Sequence, residues 1–201
     1  MNAIVLVLAA GPAVAGLDHV PIAVRDLPAA AADYRRLGFV LKPGRPHENG
    51  IENVHAKFPD GTEIELITAP AARDALTSRY RRHLESGDGP AFLALHAPGG
   101  VEGIQAPDYV FFARLNHSPT DRPEHFAHPN TARTRAIVPG RPIVGVTVGV
   151  ADPSAARRVI ERGGVATRAG IGGRPNVFVA PEAAHGLWLE LTRVARPPEE
   201  P

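Results

Sequence analysis

One pattern occurs twice in this chain and restricts its fold more than any other feature. In the first copy, the apolar run Leu17-Asp18-His19-Val20-Pro21-Ile22-Ala23-Val24 reads as a strand. Asp26 then caps a helix with Pro28 in its first turn, where a missing N–H costs little. Leu27, Ala31, Tyr34 and Leu37 recur at helical spacing, and Gly38 stops the helix. Phe39-Val40-Leu41 begins a second strand, and Ile51 to Phe58 makes a third. Asp60-Gly61 is a hairpin turn, and Thr62 to Ile67 is the fourth strand. The later copy repeats the order. Ile143 to Val150 is a strand, Asp152-Pro153 starts a helix that ends at Gly163-Gly164, and Val177–Val179 and Leu187–Leu191 are strands. Setting Asp26 on Asp152 brings Val24 onto Val150, and the closing strands match Glu65 with Glu190. The internal repeat implies an α+β fold of paired βαβββ modules. The copies differ at one telling place: the position of His19 holds Gly145 in the second.

The expected organisation is a first module at 16–69, a middle segment at 70–141, a second, degenerate module at 142–194, and a disordered tail at 195–201. The middle carries an arginine-rich helix from Ala71 to Glu85, a buried strand at Ala91–Leu95 and a strand at Tyr109–Phe112. A polar loop follows from Asn116 to Asn130, and a loop of that length is more often functional or disordered than a plain connector. Gly170-Ile171-Gly172-Gly173 reads as a hairpin loop. At the start, Ala3 to Ala10 is unbroken apolar sequence, Gly11-Pro12 ends it, and Ala13-Val14-Ala15 suits a cleavage site. Residues 1–15 thus read as a short signal peptide, too short to span a bilayer. A periplasmic or secreted mature chain starting at Gly16 is expected; a buried strand in a cytoplasmic protein is the alternative.

Composition narrows the chemistry. The 201 residues carry a net charge of +1, which gives no field favouring nucleic acid. Cysteine is absent, so disulfides, thiolate nucleophiles and cysteine metal ligands are excluded. A metal here must be held by His, Asp, Glu or water, which suits Zn, Fe(II), Mn, Ni or Co. Phosphate-binding glycine loops, a Gly-x-Ser-x-Gly elbow and a His-Glu-x-x-His helix are all missing from the sequence.

Alternate residues of a strand share a face. Leu17, His19, Pro21 and Ala23 should point one way, and Glu63, Glu65 and Ile67 should share a face of their own strand. An imidazole and carboxylates within apolar runs are costly to bury unpaired. Either a divalent metal or a direct His–Glu hydrogen bond answers that cost. Asn53, His55 and Lys57 share a face of the third strand; if it is the His19 face, Asn53 and His55 line the same pocket. His55 then serves as ligand, general base or substrate clamp. His47 lies in the turn before it. In Glu124-His125-Phe126-Ala127-His128-Pro129-Asn130, two histidines three apart are placed to deliver an imidazole. Glu190 shares its strand face with Trp188 and Thr192. His83, His96 and His185 have no assignable partner.

The repeat, the Asp18-His19-Val20 opening with Val24-x-Asp26-Leu27 behind it, and Glu63-Ile64-Glu65-Leu66-Ile67 resemble the vicinal oxygen chelate superfamily, and within it the glyoxalase-like group. Residues 17–68 carry the resemblance well and 143–193 more weakly. The His-Pro-Asn stretch adds to it. The resemblance implies a glyoxalase/dihydroxybiphenyl dioxygenase-like fold whose curved sheets cup a divalent metal. The ligands it implies are His19 and Glu65, joined by Glu190, with His125 or His128 replacing the imidazole lost at Gly145; His128 is the one favoured. Glu65 or His55 would move a proton, and His47, Asn53, His125 and Trp188 would line the substrate. The implied activity is a lyase- or isomerase-like reaction on a small oxygenated molecule, through bidentate chelation and stabilisation of an enolate or oxyanion. A non-catalytic small-molecule-sequestering protein and an Fe(II) extradiol-type dioxygenase are the alternatives. The expected partners are a small-molecule substrate and at most a second copy in a homodimer, with no nucleic acid and no membrane once the signal is removed.

Overall fold

The structure, a computed structural model, describes residues 14–99, 106, 108–113, 121–122, 134–137, 145–170 and 175–194. Most of the expected signal segment, the stretch holding His125 and His128, the glycine-rich 171–173 and the tail lie outside the described residues. Among the described residues, no helix is long and apolar enough to cross a membrane.

The first βαβββ unit is β1 (Gly16–Ala23), α1 (Leu27–Arg36), β2 (Lys42–Pro43), β3 (Glu52–Lys57) and β4 (Glu63–Thr68). The second is β9 (Gly145–Val150), α3 (Pro153–Arg162), β10 (Thr167–Ala169), β11 (Val177–Val179) and β12 (Trp188–Arg193). Between them come α2 (Ala75–Glu85), β5 (Gly89–Pro90), β6 (Leu93–His96), β7 (Val110–Ala113) and β8 (Thr134–Ile137). One sheet runs β2-β3-β4-β1-β6-β7, with β5 also on β1; the other runs β10-β11-β12-β9-β8. In both, the first and last strands of the βαβββ unit lie parallel and adjacent, β1 with β4 and β9 with β12. The repeat holds in register: Glu65 sits across from Pro21, and Glu190 across from Thr147, the matching residue of the second unit.

The helices start where their caps permit. Asp26 accepts from the Ala29 N–H and Asp152 from the Ser154 N–H, satisfying donors that a first helical turn leaves open. The second helix begins four residues later than its apolar pattern suggested. Asp74 and Thr77 form a reciprocal capping box, which sets the start at Ala75. β2 also starts later, at Lys42 rather than Phe39, because Phe39 turns inward to pack on Tyr34 and Phe58. The strands β8 and β10 are additions to the sequence reading; each extends an edge of the second sheet.

One apolar core joins the two units. Val20, Ile22, Ile64 and Leu66 from the first sheet belong to the same cluster as Val146, Val148, Leu189 and Leu191 from the second. The helices meet directly. A Cβ at Gly38 would come within 2.7 Å of a Val159 methyl, and Gly38 has φ of +95°. Tyr34 is fully buried, and its hydroxyl donates to the Ala184 carbonyl at 3.4 Å. Burial raises that phenol far above its ordinary pKa, so it stays a neutral donor. At the rim of the seam, His185 Nε2 and Nδ1 face Asp33 and Asp88, each at 2.9 Å.

Gly38→Ala adds a left-handed strain to a steric one, so it should lower stability by about 2–4 kcal/mol. Urea denaturation measures this; a change below the reproducibility of the method would mean that α1 and α3 are not in contact there.

Candidate functional site

The face of the first sheet turned away from the apolar core is polar and enclosed. All six residues of β4 are buried, so its outer-face carboxylates are buried with its inner-face Ile64 and Leu66. Cross-strand pairing gathers the polar groups into rows. His19 is opposite Glu63, which is opposite Lys57; Glu65 is opposite His55, which is opposite Lys42. Opposed residues in neighbouring strands share a face. His19, Asn53, His55, Glu63 and Glu65 therefore stand on one surface, a coincidence of faces that alternation within each strand left open.

The alternation fails at Leu17. It packs on the apolar core with Val20 and Ile22 instead of sharing the His19 face. The cause is a β-bulge: against β6, the register shifts between Leu17 and His19. The extra residue turns Asp18 beside His19, where its Oδ1 lies 2.5 Å from His19 Nδ1.

Each of the two central groups is held from behind. Asp18 fixes His19 Nδ1, leaving Nε2 directed at Glu65. Asn53 Nδ2 donates to Glu65 Oε1 at 2.5 Å, leaving Oε2 directed at His19. Nε2 and Oε2 stand 3.5 Å apart. That is long for a hydrogen bond, which runs at about 2.7–3.2 Å. It fits two ligands of one ion: at about 2.1 Å each and a tetrahedral angle, ligand atoms lie roughly 3.4 Å apart. A carboxylate behind the imidazole is the usual support of a metal-bound histidine. Asp18 Oδ2, Asn53 Oδ1 and His96 Nδ1 are buried without a hydrogen-bond partner among the described residues. Asp18 Oδ2 and His96 Nδ1 stand 3.8 Å apart behind His19, and Asn53 Oδ1 lies against Gly44. The residues present therefore fit a divalent metal as half of a ligand set. Among the described residues, no three His, Asp or Glu side chains converge as a complete set.

The electrostatics agree with a cation-seeking position. Burial acts to lower the His19 pKa, but the Asp18 hydrogen bond and the charges of Glu65, Glu63 and Asp18 outweigh it and raise it. For Glu63, burial acts to raise the pKa. The His55 hydrogen bond and the charges of His55, Lys57 and His19 overcome it and bring the carboxyl down to about 2. His55 Nδ1 lies 3.1 Å from Glu63 Oε1, and Lys57 donates to Glu63 Oε2. On the other side, Phe111 meets the His19 ring edge-on at 5.3 Å.

The other expected residues fall elsewhere. Glu190 keeps to its own module: Thr147 Oγ1 donates to its Oε2 at 2.8 Å, and Asn176 Nδ2 to its Oε1 at 2.6 Å. The Asn–Glu pair is thus repeated in both modules, while the threonine hydroxyl takes the oxygen that faces His19 in the first. Trp188 lies under the Arg168 guanidinium, 5.6 Å from its ring centroid. His47 lines a separate surface cleft with Arg45, Asn49 and Asp74. His125 and His128 are outside the described residues. Sequence reasoning gave no site role to Asp18, Lys42, Lys57, Glu63, Asp121 or His96. Only Lys57 and Glu63 carried a usable signal, alternation with His55 and Glu65. The bulge at Asp18 and the long-range approach of Asp121 leave none.

Residues 17–106 match the model of a family described as a glyoxalase-like domain. This segment, a little under half of the chain, is similar to a glyoxalase-like domain. No curated protein matches it. Solved structures similar to it include a methylmalonyl-CoA epimerase from Mycobacterium tuberculosis, 21% identical over 93% of each chain with a TM-score of 0.35. A methylmalonyl-CoA epimerase in complex with methylmalonyl-CoA and NH4+ is 18% identical over 90% of this chain and 96% of that one, with a TM-score of 0.33. A hypothetical protein from Bacillus halodurans is 14% identical over 92% and 97%, with a TM-score of 0.34. At such scores the superpositions are loose, and the likeness to a glyoxalase-like domain rests on the matched segment 17–106.

The Glu63 carboxyl ionises more readily folded than unfolded. Its stabilisation is therefore present above its ordinary pKa of 4.5 and lost as pH falls toward about 2. The loss should be on the order of 3 kcal/mol across that window, and Glu63→Gln should flatten it while destabilising the protein at neutral pH. Urea titrations at several pH values between neutrality and pH 3 read both; equal slopes for the two proteins would refute the assignment.

Proposed function

We propose that this glyoxalase-like protein is a metal-dependent enzyme acting on a small oxygenated substrate, with its reaction centre on the polar face of the first sheet. The observation that carries the reading is the His19–Glu65 pair, each member fixed from behind and presenting one free atom to the other across 3.5 Å. His19 Nε2 and Glu65 Oε2 would hold the metal, with His128 or His125 completing the set. A divalent ion bound there supplies a Lewis acid that draws charge from substrate oxygens and steadies an oxyanion. The rest is the work of this chain. Asp18 holds the His19 ring in the tautomer whose Nε2 lone pair faces the site. Asn53 holds the Glu65 carboxylate by one oxygen, so the other keeps its direction. Glu63 accepts from His55 Nδ1, which leaves Nε2 of that ring as the basic nitrogen able to take a substrate proton. Phe111 and the β6–β7 edge shield the His19 side from water, where charge interactions are stronger.

One observation favours a second reading. Both Glu190 oxygens are engaged by Thr147 and Asn176, so a ligand role there means giving up a hydrogen bond. A cup that binds a small molecule without turning it over accommodates that, and its ligand affinity would be indifferent to chelators.

Metal analysis of the purified chain, after supply of Zn, Mn, Fe(II), Ni and Co in turn, tests the first reading. One bound ion per chain is expected, lost in His19→Ala and Glu65→Ala. Asp18→Asn should weaken binding by about 10–100-fold, the usual cost of removing the group behind a ligating histidine. A wild-type chain that never takes up a stoichiometric ion would end the proposal.

A further inference from the structure

Positive charge also gathers away from the polar face, where it lines open space. The chain leaving β1, the end of β4 and the last turn of α2 meet around a cleft of about 490 Å³, whose walls include Arg25, Ala69, Pro70, Arg81, Leu84 and Glu85. A volume of this order suits a small molecule. Both guanidiniums are held by backbone carbonyls. Arg25 directs Nε and Nη2 at the Leu84 carbonyl oxygen, at 3.1 and 2.5 Å. Arg81 Nη1 donates to the Pro70 carbonyl at 2.8 Å and stands 3.5 Å from that of Ala69. These anchors occupy one edge of each fork, so Arg25 keeps Nη1 free, and Arg81 keeps Nε and Nη2. Among the described residues, neither guanidinium forms an ion pair with a carboxylate, although Glu85 lines the same cleft. A carbonyl carries only a partial charge, so the anchors position the two cations without neutralising them. Both side chains are exposed, which leaves their free donors open to a ligand.

We propose that this cleft binds a small organic monoacid, its carboxylate received by the free edges of Arg25 and Arg81 and its apolar part laid on Ala69, Pro70 and Leu84. Planar guanidinium forks match carboxylate and phosphate alike. The choice between them comes from charge: two guanidiniums and the Glu85 carboxylate leave one positive charge over, which a monoanion balances, and Glu85 opposes a dianion more strongly. The cleft is separate from the candidate metal position. Ala69 is four residues beyond Glu65 and Arg25 six beyond His19, roughly 13 and 20 Å of extended chain. Binding here therefore stands or falls independently of the metal reading.

The test titrates the full chain with butyrate by calorimetry at constant ionic strength, and the backbone amide shifts of Ala69, Leu84 and Glu85 locate the ligand. Saturable binding that moves these amides is expected. Arg81→Met should weaken it by about tenfold, the scale of one hydrogen bond to a charged group. Glu85→Gln should tighten it by about twofold, because a like charge is removed from an exposed wall. Butyramide, the neutral analogue, should not bind. Absence of saturable butyrate binding overturns the inference, as do equal binding of butyramide, unchanged affinity in a folded Arg81→Met protein, or a Glu85→Gln protein that binds no more tightly. Inorganic phosphate binding more tightly than butyrate overturns the monoacid assignment. Should Arg81→Met not fold, Arg81→Lys decides: it keeps the charge and loses the fork, so affinity must fall, and unchanged affinity rejects the site.

Discussion

The parallel pairing of β1 with β4 is the constraint on which the rest depends. It sets His19 level with Glu63 and one residue pair away from Glu65, and it does so with both faces of β4 covered. On one face Ile64 and Leu66 need only apolar neighbours, which the shared core supplies. On the other, two carboxylates are removed from water and must find positive or hydrogen-bonding partners in the sheet. His19, Asn53, His55 and Lys57 are those partners. A slip of one residue in this register would exchange the two faces and bury the carboxylates in the core. The polar cluster is thus a consequence of the pairing, and the pairing is held by the apolar face behind it.

Comparison of the two modules separates what the fold requires from what the chemistry requires. Both keep the aspartate cap and the parallel first and last strands. Both also keep the asparagine that donates to the last-strand glutamate. Only the first places an imidazole before the second carboxylate oxygen; in the other, Thr147 supplies a hydroxyl and Gly145 supplies nothing. A Cβ at Gly145 would lie 2.9 Å from the Trp188 carbonyl oxygen, so restoring a histidine there would also require the backbone to shift. The second module has closed around its glutamate, while the first holds its glutamate open toward His19.

The parts of this arrangement visible in the sequence were those governed by local period. Strand alternation set His19 on one face of its strand and Glu63 with Glu65 together on one face of theirs, and the capping aspartates and turn glycines marked the element order. Alternation failed at Leu17 because a bulge is a property of two strands, and β6 is distant in sequence. The same holds for Asp121, whose contact with Lys42 and Lys57 spans much of the chain. His96, which carried no sequence signal, stands with Nδ1 3.8 Å from Asp18 Oδ2 because β6 lies antiparallel to β1. Local residues announce that polar groups are buried; only the tertiary pairing decides which of them satisfy one another.

That distinction bears on how the site would handle charge. His19, with its pKa raised by surrounding carboxylates, holds a proton more tightly than a free histidine when no other cation is near. Under the proposed reading His19 and Glu65 would hold a divalent ion, which would require a neutral imidazole and so would compete with that proton. The Lys57–Glu63 pair lies beyond this exchange: Lys57 is raised above its ordinary value because the charges and hydrogen bonds of Glu63 and Asp121 overcome its burial, and it stays charged throughout. One end of the polar face is therefore an ion-paired lysine cluster, while at the other a bound cation would displace the His19 proton.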